Sequence, residues 1–111
     1  MTLPISELQK LDGYRFSLHN YVINHSTLTL QASNPDTQSS KLYLYFTDVH
    51  YIQMPTNWKS PFELGSNSER EEVAIKTGLP LKGLSSGVYL YKSKDGNVII
   101  LGALMGIEKS E

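Results

Sequence analysis

Asp48-Val49-His50 is the only place in the 111-residue chain where an acid and a histidine stand this close. In a regular strand, residues two apart point to the same face, so this pair could hold a metal ion or let the carboxylate orient an imidazole for acid/base work. A metal needs a third ligand, and His19, His25 and Glu63 are the candidates, none of which the spacing brings near. The plainer reading is structural, with Asp48 capping a bulge and His50 half-buried on a sheet. Gly83-Leu84-Ser85-Ser86-Gly87 matches the spacing of a hydrolase nucleophile elbow. That elbow needs a strand before the serine and a helix after it, whereas here Pro80 and Gly83 precede it and a strand-forming run follows, so a loop is expected. No phosphate loop, dinucleotide fingerprint or His-Glu-x-x-His occurs, and no cofactor or catalytic residue is assigned.

Aromatic residues are the second source of possible chemistry. Trp58 and Phe62 sit in a proline-bounded stretch from Pro55 to Leu64, a setting that suits rigid interface anchors or a plug for an open sheet end. Tyr43, Tyr45, Tyr89 and Tyr91, with Lys41, Lys92 and Lys94 nearby, could line one sheet face. Such a face could stack single-stranded nucleic acid or simply pack across strands.

The composition narrows these choices. A formal charge of -1 gives no general field for nucleic acid or an anionic membrane, so nucleic-acid binding is the less favoured reading. Zero cysteine removes disulfides, thiolate zinc and thiol nucleophiles. The N-terminal residues have neither a basic start nor an apolar core, and the densest apolar run, Val98 to Ile107, is too short to span a bilayer. A soluble cytoplasmic protein with no membrane association is expected. Ser, Thr, Asn and Gln together outnumber the charged residues, a bias toward strands and turns.

The elements that must position these residues follow from periodicity. Leu3, Leu8 and Leu11 predict a short helix, with Thr2 as N-cap, Pro4 in the first turn and Gly13 beyond the end. From Tyr14 the period becomes two, and Thr27 to Ser33 alternates likewise. A turn through Asn24, His25 and Ser26 would pair Ile23 with Thr27 and set Leu18 opposite Ala32. Residues 34–40 read as a polar loop. Lys41 to Met54 is the strongest strand, and its apolar phase slips near Thr47-Asp48, which predicts a bulge or bend. Phe62 to Leu64 reads as a short edge strand. Ser66 to Lys76 carries a capping box and then Gly78 and Pro80, predicting a helix over an extended alternative. Asp95-Gly96 predicts a type I′ hairpin that pairs Lys92 with Ile99 and Leu90 with Leu101. Gly102 and Gly106 then mark bends.

The expected architecture is one β-rich α+β domain over residues 1–111. It is a curved antiparallel sheet or half-barrel of about five to six strands, with a short N-terminal helix and one helix around 67–76. The expected function is a non-enzymatic binding or protein-interaction module, possible as a homodimer, using Trp58, Phe62, Tyr89 and Tyr91. The alternatives are a metal-dependent or acid/base enzyme at Asp48 and His50, and single-strand nucleic-acid binding on the tyrosine face.

Overall fold

The computed structural model describes residues 3–34, 41–59, 62–78 and 87–109. Helix α1 spans Ile5–Gln9, followed by strands β1 (Arg15–Val22), β2 (Thr27–Ser33), β3 (Leu42–Gln53), β4 (Asn57–Trp58) and β5 (Phe62–Leu64). Helix α2 (Asn67–Lys76) precedes β6 (Tyr89–Ser93) and β7 (Ile99–Lys109). All seven strands form one antiparallel sheet in the order β4-β1-β2-β3-β7-β6-β5. The strand number exceeds the expected five to six because β4 and β5, two and three residues long, both pair. Thr2, the polar segment 35–40 and residues 83–86 of the glycine-serine stretch lie outside the described residues.

The sheet is an α+β half-barrel, and its curl can be read from chain connectivity. β4 and β5 occupy opposite edges of the sheet, yet only residues 59–61 separate Trp58 from Phe62. The four Cα–Cα steps from Trp58 to Phe62 reach roughly 14 Å when extended, far less than the width of a flat seven-stranded sheet at about 4.8 Å per strand. The two edges therefore have to approach each other. The Trp58 and Phe62 rings meet at 6.1 Å, edge to face.

Period-two alternation decides what each face buries. Leu28, Leu30 and Ala32 on β2 and Leu44 and Phe46 on β3 turn inside the curl and are fully buried. They pack with Leu8, Leu11, Phe16, Val49, Tyr91, Ile100 and Leu104. β6 and β7 are apolar on both faces, as the hairpin pattern implies. Their outer residues Val88, Leu90 and Leu101 lie under Ala74 and Val73 of α2. That helix begins at Ser66, whose Oγ accepts from the Glu69 N–H while the Glu69 carboxylate accepts from the Ser66 N–H. Arg70 Nε donates to the Val88 carbonyl at 2.7 Å and ties the helix to β6.

The predicted bend in β3 is present. Asp48 has φ 48°, and the pairing of β3 with β7 shifts between Thr47 and Tyr51. At this bulge β3 crowds β7, and a Cβ on Gly102 would lie 3.2 Å from the Thr47 carbonyl oxygen and 3.1 Å from Val49 Cγ2. Glycine is needed there for close approach of two backbones.

Two turns differ from expectation. In the first hairpin Val22 pairs with Thr27 and Leu18 with Leu30, not Ala32, because the chain turns through Ile23–His25 and Ser26 at φ 51°. A bulge at His19 then shifts the register by one residue. In the second hairpin the pairings Lys92 to Ile99 and Leu90 to Leu101 are as read from sequence, but the turn is wider than type I′. The Gly96 N–H donates to the Ser93 carbonyl, the Ser93 N–H to the Val98 carbonyl, and only Gly96 takes a positive φ, of 80°. Asp95 explains the choice, since its Oδ1 accepts from both the Ser93 hydroxyl and the Asn97 N–H, an Asx turn that a tight loop would break.

Candidate binding groove

Tyr89 and Tyr91 lie two apart on β6, so both point inside the curl while Leu90 between them points to α2. Tyr91 is buried, its ring meeting Phe46 edge-on at 5.3 Å, and the Leu104 N–H lies 3.4 Å from its hydroxyl. Burial pushes the Tyr91 hydroxyl above the usual phenol range. Tyr89 contacts Tyr91 edge to face at 6.4 Å and remains 41% exposed. β5 sets Leu64 directly opposite Tyr91, and Leu64 remains 39% exposed.

The facing wall comes from the residues before α1. The Leu3 N–H donates to the Leu104 carbonyl at 2.8 Å, which anchors this segment beside β7. Leu3, Pro4, Ile5, Leu64, Tyr89 and Tyr91 enclose an open groove of about 350 Å³. On the other side of Leu3 a second depression of about 450 Å³ runs along Glu7, Lys10, Leu11, Gly106 and Ile107. Among the described residues the lining of the first groove carries no charged side chain, and the polar side-chain groups there are two phenols. This groove can take an apolar segment and offer hydrogen bonds.

The other residues singled out from sequence lie elsewhere. Trp58 and Phe62 are buried, with Phe16 stacked on Trp58 at 5.8 Å and edge-on to Phe62 at 5.2 Å. Their rings fill the seam where the sheet edges approach and offer little surface to a partner. The Trp58 Nε1–H is buried and has no acceptor among the described residues. Asp48 and His50 are both exposed on the outer side of the β3 bulge. Among the described residues no three of His, Asp or Glu converge as metal ligands, and His19 packs instead on Tyr43 at 5.0 Å.

The four tyrosines do not form one platform. Leu44 and Phe46 face inward, so Tyr43 and Tyr45 face outward, opposite to Tyr89 and Tyr91. The one-residue shift in the β3 and β7 pairing at Met105, where Tyr45 pairs with Gly106 but Phe46 with Leu104, breaks the parity that a simple alternation would carry across the sheet, whereas the two-residue shift at Asp48 preserves it. Tyr45 donates to Glu108 at 3.3 Å, and burial with the adjacent carboxylate raises its hydroxyl pKa. The sequence reading missed Leu3, Pro4, Ile5 and Leu64 as groove residues. The one local signal for them was the Phe62/Leu64 alternation, which places both on one face of a short strand.

No protein-family model matches the chain, and no solved structure matches it. Among curated proteins, the human "Fibrous sheath-interacting protein 2" is 32% identical over 84 residues, which cover 76% of this chain. The matched segment is about 1% of that protein's length. No helix among the described residues is long and apolar enough to cross a membrane.

Proposed function

We propose that this chain acts as one non-enzymatic protein-interaction domain whose groove at Leu64, Tyr89 and Tyr91 receives an apolar segment of a partner protein. The observation that carries the reading is the exposure of Leu64 and Tyr89 beside an uncharged groove whose floor, Tyr91, is rigidly packed. Large side chains held by a packed base lose little entropy on binding, which favours them as anchors. The net charge of -1 supports a protein partner over nucleic acid. The similarity to a protein named for interaction with the fibrous sheath supports the same class of role.

A photo-crosslinking phenylalanine analogue at position 89, activated in cells and read by mass spectrometry, tests this. A defined protein adduct that disappears when Leu64→Glu is added supports the reading. Adducts no different from those of the same probe placed at Ile75 on α2, or unaffected by Leu64→Glu, overturn it.

A further inference from the structure

Among the described residues, no strand covers half of the outer side of β1. β4 reaches it only where Trp58 and Asn57 pair with Phe16 and Ser17. From Leu18 to Val22 no described strand lies against that side. A bare strand edge presents backbone donors and acceptors that another strand can satisfy, and natural edges are commonly guarded by charge or proline. This one has neither, for no Asp, Glu, Lys or Arg stands between Arg15 and Asp36, and no proline between Pro4 and Pro35. Leu18, Tyr21 and Ile23 remain 48%, 38% and 75% exposed along it.

We propose that this edge is a self-association surface, at which β1 of two copies pairs antiparallel about a two-fold axis through Tyr21. Side-chain parity selects that register. Tyr21 stands opposite Leu28 and faces inward, while Asn20 and Val22 stand opposite Thr29 and Thr27 and face outward. Centring on Tyr21 sets it against Tyr21 of the second copy, and Asn20 against Val22 of the second copy, so each facing pair shares a face. Centring on Asn20 would set Tyr21 against His19 of the second copy. The bulge turns His19 outward onto Tyr43, so that pair would lie on opposite faces.

The neutral character of the segment points to a second copy as the occupant. Identical charged strands repel when paired about a two-fold axis, and this strand brings no like charges together. A charged partner segment would find no counter-charge on it. The surface is separate from the Leu64/Tyr89 groove, so either can fail without the other.

Sedimentation of the full chain over concentrations up to about 0.1 mM is expected to show a reversible dimer. Tyr21→Lys, which sets two ammonium groups face to face, is expected to raise the dimer dissociation constant by about tenfold or more while the circular dichroism spectrum is retained. The chain has no cysteine, so Tyr21→Cys gives a single thiol and is expected to yield a disulfide-linked dimer on mild oxidation. Ile75→Cys, 66% exposed on α2, is the control expected to stay monomeric. A monomer at every concentration, a dimer indifferent to Tyr21→Lys, or equal crosslinking of the two cysteine variants overturns the proposal. If Tyr21→Lys does not fold, the cysteine pair decides.

Discussion

The seam at Phe16, Trp58 and Phe62 and the groove at Leu64, Tyr89 and Tyr91 are built from the same kinds of residue and behave differently. Phe62 and Leu64 even belong to one three-residue strand and point the same way. Phe62 is 2% exposed because the opposite edge of the sheet arrives to cover it, and Leu64 is 39% exposed because only the N-terminal segment comes near. Burial here follows from what the curl brings opposite a side chain and owes little to the side chain's own apolarity. Aromatic content by itself therefore does not separate core from binding surface.

The sharpest way to break this contrast is to truncate one ring on each side of it. Phe62→Ala is expected to cost about 3–5 kcal/mol in chemical denaturation, the usual range for a buried aromatic. Tyr89→Ala is expected to cost about 0.5 kcal/mol, as for most surface changes. Equal losses would show that the groove is as much core as the seam. Gly102→Val probes the shared support of both regions. It forces a side chain against the Thr47 carbonyl and Val49 and is expected to destabilise by about 1–3 kcal/mol. A neutral result in the same assay would mean that the Asp48 bulge yields freely.

Two smaller effects concern titration. Tyr91 has its pKa raised by burial, so the stability it contributes is complete below the ordinary phenol pKa and is lost as pH climbs through the folded-state value. Tyr91→Phe should blunt the alkaline fall in melting temperature, and an unchanged fall in that variant would show that the buried phenol does not set it. At the edge of the β6 strand, the Lys92 ammonium hydrogen-bonds the Glu69 carboxylate at 2.7 Å and holds its pKa below the usual range. The Ser66 N–H adds to this. The contribution of Glu69 is present above its unfolded pKa and fades as pH drops through the folded value. Glu69 is 43% exposed and water reaches the pair, so Glu69→Gln is expected to produce the smallest change, visible as a weakened acid leg in pH melts and reduced further by salt.

Much of the fold was legible because its signals are local. A Ser-x-x-Glu capping box, which Ser66 or Ser68 could open and Ser66 does, marked the start of α2, and alternation flanking Asp95-Gly96 defined the β6/β7 register even though Asp95 chose a different turn. The phase slip at Asp48 marked the bulge. The bulge at His19 left no such trace, because Leu18 and Val22 fit a simple alternation that the turn at Ile23–Ser26 then displaced. The candidate groove was half legible. Tyr89 and Tyr91 stood out by type, but Leu3 and Ile5 read as helix-face residues, and nothing in their spacing says which strand they will meet.

The amino-acid order alone determined which residues share a face in unbroken stretches of strand, where α2 begins and ends, and that no charge or thiol chemistry dominates, whereas α1 starts at Ile5 with Pro4 as its N-cap and not at Thr2. These depend on periods of two and 3.6 residues and on caps a few residues apart. Tertiary structure decided that Trp58 and Phe62 are covered, that Tyr43 and Tyr45 look away from Tyr89 and Tyr91, and that among the described residues no strand covers half of β1. Those outcomes depend on how a seven-stranded sheet curls and where its pairing slips. The strands concerned are far apart in the chain, and a single-residue slip at a bulge reverses the face of everything beyond it.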